Sequence, residues 1–154
     1  MSSFETVINT TALGKRKVFM PVDNSERTPH VVAWARKNVL REGDLVILFN
    51  AHKSASDELP GGGSKETVQK YNSEFHNASK SLLTTYANEL NDFHVKGVLG
   101  AGKAKKLIDE LLDIEQPDLI VMGKRDLGKV KQIFMGSVSN HVLNTRDIPV
   151  LIVP

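Results

Sequence analysis

Between positions 123 and 139 the chain reads GKRDLGKVKQIFMGSVS, a glycine, a cationic stretch, and then Gly-Ser at the start of a predicted helix. Each residue type has a chemical reason to be there. Gly123 lets the backbone approach a bound group without a Cβ in the way. Gly136 and Ser137 fall where free helical N–H groups and the helix dipole favour an anion. Ser137 suits the N-cap, and Ser137 and Ser139 add hydroxyls beside Val138. Lys124, Arg125, Lys129 and Lys131 make the segment positive. The chemistry this favours is binding of a phosphate group, and Asp126 stands against it. A carboxylate about 5 Å from a phosphate charge costs on the order of 3 kcal/mol at an effective dielectric near 20. That is roughly two decades of affinity. Neighbouring Lys and Arg, or a bridging divalent cation, would offset it.

Such a segment needs strands and helices to position it. Residues 17–23 (KVFMPVD), 44–52 (DLVILFNAH), 118–123 (DLIVMG) and 148–154 (IPVLIVP) are near-continuous apolar runs, the pattern of strands covered on both faces. Residues 93–100 read as a further strand, more alternating than the others. Helical spacing links Val31, Val32, Trp34, Ala35, Val39 and Leu40, with Thr28 and Pro29 as the expected cap and first-turn pair. A long helix is expected over 66–90, another over 103–115 and a short one over 137–144. Residues 53–69 hold a Pro-Gly-Gly-Gly-Ser loop. Residues 1–15 read as a loose, polar tail before a single domain at 16–154. Strands alternating with helices give an α/β fold: an open five-stranded, mostly parallel sheet with helices on both faces, Rossmann-like. Ligands of such sheets bind beyond the carboxyl ends of the strands, where strand order reverses.

Composition narrows the function. The chain has 154 residues, a formal net charge of +2, 40% hydrophobic and 25% charged residues, and no cysteine. Disulfides, thiolate metal sites and a cysteine nucleophile are excluded. The net charge is too small to suggest a nucleic-acid partner. No apolar run approaches the ~20 residues of a membrane span, and no secretory signal is evident, so the expectation is a cytoplasmic protein. The histidines fall on separate expected elements, without metal-ligand spacing, and no metal site is expected. GVLGAGKA, from Gly97, has the glycine and lysine spacing of a P-loop, but Ala104 replaces the hydroxyl that would hold Mg²⁺. Gly100 and Gly102 follow the wrong strand for a dinucleotide fingerprint. No nucleophile has an evident base partner, so no catalytic residue is assigned and any ATPase activity is expected to be weak.

Counted from Gly123, the segment is G-x2-D-x9-G-S. It resembles the universal stress protein family, whose ATP-binding members carry G-x2-G-x9-G-[ST] there, with Asp126 in place of one glycine. KVFMPVDNSE, DLIVMG and MGSVSNHVL…IPVLIVP are similar to the family's wording at the matching places. The resemblance runs from about Arg16 to Pro154. It implies the adenine nucleotide α-hydrolase-like architecture and an ATP site, with Mg²⁺ as a candidate companion. Asp23 would then lie near adenine and ribose, Asn50 would line the base pocket, and Pro21, Val22 and Met122 would supply apolar walls. Gly123, Arg125, Asp126, Gly136, Ser137, Val138 and Ser139 would surround the phosphates. It also implies a homodimer, for which the apolar closing strand, residues 149–154, is the expected edge.

The leading expectation is a nucleotide-binding module, taking ATP or a related adenine nucleotide in a stress response. The alternative is a dimeric interaction protein of the same fold with a degenerate pocket that binds no nucleotide. Plainer readings stay open for single residues. Gly123 and Gly136 also suit turns, Asp23 also suits capping the next turn through Ser25, and Asn50 also suits a polar strand end.

Overall fold

The computed structural model describes residues 4–10, 16–124 and 137–154. The strands are β1 (Phe4–Asn9), β2 (Lys17–Pro21), β3 (Leu45–His52), β4 (His94–Ala101), β5 (Leu119–Gly123) and β6 (Val150–Val153). The helices are α1 (Arg27–Asn38), α2 (Ala55–Glu58), α3 (Lys65–Glu89), α4 (Ala104–Glu115) and α5 (Ser137–Thr145). One six-stranded sheet runs in the order β1-β4-β3-β2-β5-β6. All neighbours are parallel except β1, which runs antiparallel to β4.

The sheet therefore has six strands rather than five. The additional strand lies within the stretch that reads as a loose tail. Its alternation is poor because a register shift between Thr6 and Ile8 interrupts it. Its ladder with β4 is reinforced at both Gly97 and Val95. Ile8 fills the space that a side chain at Gly97 would need, since a Cβ there would stand 3.2 Å from Ile8. The Thr10 hydroxyl accepts from the Val95 amide at 2.7 Å, and the Thr10 amide donates to the Val95 carbonyl at 3.0 Å. The glycine-rich loop is also more ordered than its sequence suggests, with α2 and a 3₁₀ turn at Pro60–Gly62. The middle residues of the parallel strands are buried on both faces, as their apolar runs require.

Two layers of helix cover the sheet. On one face α1 and α3 bring Val31, Val32, Ala35, Leu83, Tyr86 and Leu90 against Val18, Met20, Val46, Leu48 and Val121. On the other, α4 and α5 bring Leu107, Ile108, Leu111, Leu112 and Val142 against Phe19, Ile47, Phe49, Ile120 and Met122. Going from β2, the chain first steps outward through β3 to β4, then returns through α4 to place β5 on the other side of β2. Strand order reverses between β2 and β5, and their carboxyl ends diverge into a crevice.

Candidate functional site

The crevice at the β2/β5 switch has a volume of about 550 Å³, inside the range of roughly 300–1,000 Å³ typical of small-molecule sites. Its floor is strand ends: Pro21 closing β2 with Val22 just after it, Phe49–Ala51 from β3, and Met122 and Gly123 from β5. Its rim is made by three helix starts. Glu26 precedes α1 and Arg27 and Thr28 open it, Ala104 opens α4, and Ser137–Ser139 belong to α5. Helix starts carry unsatisfied N–H groups and the positive end of the dipole, so three of them around one hollow favour an anionic ligand. Lys124 adds a cation to the same wall.

The structure thus gathers Pro21, Val22, Asp23, Asn50, Met122, Gly123, Ser137, Val138 and Ser139 around one space. Arg125, Asp126 and Gly136 lie outside the described residues, as do Lys129 and Lys131.

Asp23 follows β2 and organises the turn into α1. Its Oδ1 accepts from the Ser25 amide at 3.0 Å, the Ser25 hydroxyl at 2.5 Å and the Thr28 hydroxyl at 2.7 Å. The capping role is therefore real, whatever else Asp23 does. Thr28 is consequently not a helix cap. The helix starts at Arg27, its N-cap Glu26 makes no side-chain cap bond, and the buried Thr28 hydroxyl turns back to Asp23. Ser137 lies in α5, and the residues before it, on which a capping role would rest, lie outside the described residues.

Asn50 is tied at both ends of its amide. Its Nδ2 donates to the Val22 carbonyl at 2.8 Å, and its Oδ1 accepts from the Ser79 hydroxyl at 2.6 Å. Ser79 is 4% exposed. It occupies the inward stripe of α3 with Leu83, Tyr86 and Leu90, and this stripe contained the only sequence hint of its role. A serine on a buried helical face needs a polar partner, because an unpaired buried hydroxyl is costly.

Gly123 has a reason of its own. A Cβ at that position would stand 2.8 Å from Val31 Cγ2, so α1 packs directly on the backbone at the end of β5. A side chain at position 123 would force Val31, and α1 with it, to shift.

An acid–base clasp holds α5 in place. His141 Nε2 lies 2.7 Å from Asp109 Oδ2 on α4, and Arg146 donates to Asp109 Oδ1 at 3.0 Å and pairs with Asp113. Burial works against the Asp109 charge, but the His141 and Arg146 hydrogen bonds outweigh it and hold its carboxyl below the usual value. Among the described residues, no group of His, Cys, Asp or Glu is arranged to hold a metal ion, and no helix is long and apolar enough to cross a membrane.

The profile of the universal stress protein family matches residues 15–154. Universal stress protein MJ0577 of Methanocaldococcus jannaschii is 29% identical over 152 residues, covering 90% of this chain and 94% of that protein. A solved structure of MJ0577 superposes with a TM-score of 0.75 at 23% identity, over 92% of this chain and 96% of that one. A Schizosaccharomyces pombe protein is 29% identical over 136 residues, and there the chain spans 22% of the relative's length. A universal stress protein family structure from Arabidopsis thaliana, described with AMP bound, shares the fold with a TM-score of 0.66 at 18% identity, over 90% of each chain.

Proposed function

The chain belongs to the universal stress protein family, and on that premise we propose that it holds ATP or a related adenine nucleotide in the crevice between β2 and β5. The observation that carries this reading is the hollow itself. It lies at the topological switch point, has strand ends for a floor, and has the starts of α1, α4 and α5 around its rim. The bound AMP of the Arabidopsis relative supports an adenine nucleotide as the ligand class.

In this reading the base enters between Val22, Ala51 and Ile108, where the lining is apolar or backbone, and Met122 covers it from β5. Asp23 and Asn50 supply polar contacts to base and ribose. The phosphates extend toward Ser137 and Ser139 at the start of α5, where Lys124 adds positive charge. The family motif assigns Arg125, Asp126 and Gly136, which lie outside the described residues, to that same end. Bound Mg²⁺ would supply positive charge that offsets the repulsion between a carboxylate at position 126 and the phosphates. Binding rather than turnover is the activity, in a stress-response role within the cytoplasm. The molecule pairs as a homodimer through β6, an edge strand that faces no further strand among those described.

Asp126 favours a second reading, that of a dimeric interaction protein whose pocket no longer accepts a polyphosphate. Titration calorimetry with ATP and AMP, with and without Mg²⁺, on the wild type and on Asp126→Gly separates the two. Heat from the wild type supports the nucleotide reading, and heat from the variant alone supports the degenerate one.

A further inference from the structure

We propose that Asp109, which does not line the crevice, is a positioning residue for the phosphate end of the site. Acting through His141, it sets where the first turn of α5 presents Ser137 and its helical N–H groups. The proposal rests on the adenine-nucleotide reading above and names what holds one wall of that site in place.

Two helices meet at that corner. Ala104 and Ile108 of α4 line the crevice, as do Ser137, Val138 and Ser139 of α5. Asp109 follows Ile108 directly, and its Oδ2 lies 2.7 Å from His141 Nε2. Ser137 and His141 are four residues apart on α5, so they share one face of the helix. The grip on His141 is therefore one turn from a residue that lines the crevice. Val142 is buried in the apolar layer with Ile108 and Leu111, but apolar burial is non-directional and does not by itself fix a helix's rotation. Among the described residues, His141 is the one α5 side chain hydrogen-bonded to another element, while those of Asn144 and Thr145 bond back within the helix. Asp109 also holds Arg146, which follows α5. Arg146 donates to Oδ1 from Nε at 3.2 Å and from Nη2 at 3.0 Å, and to the Asp109 carbonyl at 2.9 Å. The helix is thus pinned twice, from its second turn and from the residue after its end.

The consequence has a sign. A carboxylate near an anion site repels the anion, so by charge alone the loss of Asp109 would tighten phosphate binding. As a positioning residue it does the opposite. Its loss releases the start of α5 and weakens the hold on phosphate, while the strand ends of β2 and β3 that meet base and ribose stay as they are. Adenosine lacks the phosphate, so comparing it with AMP isolates that end of the site.

The test is the ratio of adenosine to AMP dissociation constants, measured by calorimetry on the wild type, Asp109→Ala, Asp109→Asn and Glu110→Gln. A loss of folded protein lowers both affinities alike and drops out of the ratio. We expect the wild type to favour AMP and Asp109→Ala to reduce the preference about tenfold, in line with one hydrogen bond to a charged group. Asp109→Asn should keep most of it, because its carbonyl serves Arg146 and its amide donates to His141 in the other tautomer. Glu110→Gln removes a like charge from the next position of α4, where Glu110 pairs with Lys106, and should not lower the preference. An unchanged ratio in Asp109→Ala overturns the proposal. So does a preference that rises in Asp109→Ala and Glu110→Gln alike, since that is charge acting alone. Should Asp109→Ala not fold, Asp109→Glu, which displaces the carboxylate by one methylene, decides: a lowered preference upholds the proposal and an unchanged one overturns it. A wild type that binds AMP no better than adenosine also overturns it while leaving the nucleotide site standing. A wild type that binds neither removes the nucleotide reading itself, and the proposal with it.

Discussion

Val31 Cγ2 occupies the place of the missing side chain at Gly123, 2.8 Å from where a Cβ would be. The missing side chain thereby lets Val31 of α1 pack against the end of β5. Alanine there forces an overpacked contact onto a buried helix, which typically costs about 1–3 kcal/mol. Gly123→Ala should lower the urea midpoint accordingly and weaken nucleotide binding. Pairing it with Val31→Ala should recover part of the stability, because the two sites are coupled. Additive losses in the double variant would contradict the contact.

Asp126 places a negative charge where the family motif has glycine. Removing it relieves a repulsion estimated at about two decades in affinity. Asp126→Gly should therefore bind ATP more tightly, with a smaller gain for AMP, which brings less charge. Added Mg²⁺ should narrow the difference between wild type and variant for ATP. Equal gains for ATP and adenosine would show that the residue acts through backbone conformation rather than charge.

The clasp of Asp109 with His141 and Arg146 makes a pH-dependent contribution. The folded-state carboxyl lies below its ordinary 3.8. Its stabilisation is therefore fully present above that value and is lost as pH falls through the folded one. Asp109→Asn should be less stable than the wild type at neutral pH, and the gap should shrink on acidification toward about pH 3. Urea unfolding of both proteins across that range checks it, and a gap that does not change with pH would argue against an ionic clasp.

The open edge of β6 predicts self-association. The Pro149 and Val153 carbonyls accept from Ile120 of β5 and from Lys124 just after it. By the alternation of a parallel ladder, the Val150 and Ile152 amides then point to the free edge. Sedimentation should show a dimer for the wild type at micromolar concentration and a monomer for Val150→Pro, which deletes one of those donors. A wild-type monomer at high micromolar concentration would remove the edge as an interface.

Much of this architecture could be read in the residues. VFMP, LVILF and LIVMG are apolar without interruption because both faces of a parallel sheet are covered, and helical spacing located α1, α3 and α4. β1 escaped notice because its partner is an absence. Gly97 makes the notch that Ile8 fills, and a glycine inside a strand does not announce its occupant. The same holds at the crevice. Residues placed by motif, such as Asp23 and Gly123, line it, while the groups that fix them come from afar in sequence. Ser79 reaches Asn50 and Val31 meets Gly123 through the fold alone, and pairings between distant segments leave little local pattern.

The most direct test of the central claim is a two-dimensional amide NMR titration of the ¹⁵N-labelled protein with AMP and then ATP. The account predicts saturable shifts concentrated at residues 21–28, 49–51, 122–124 and 137–139, with one nucleotide per chain. No shifts at millimolar nucleotide, or shifts gathered away from the β2/β5 switch, would contradict it.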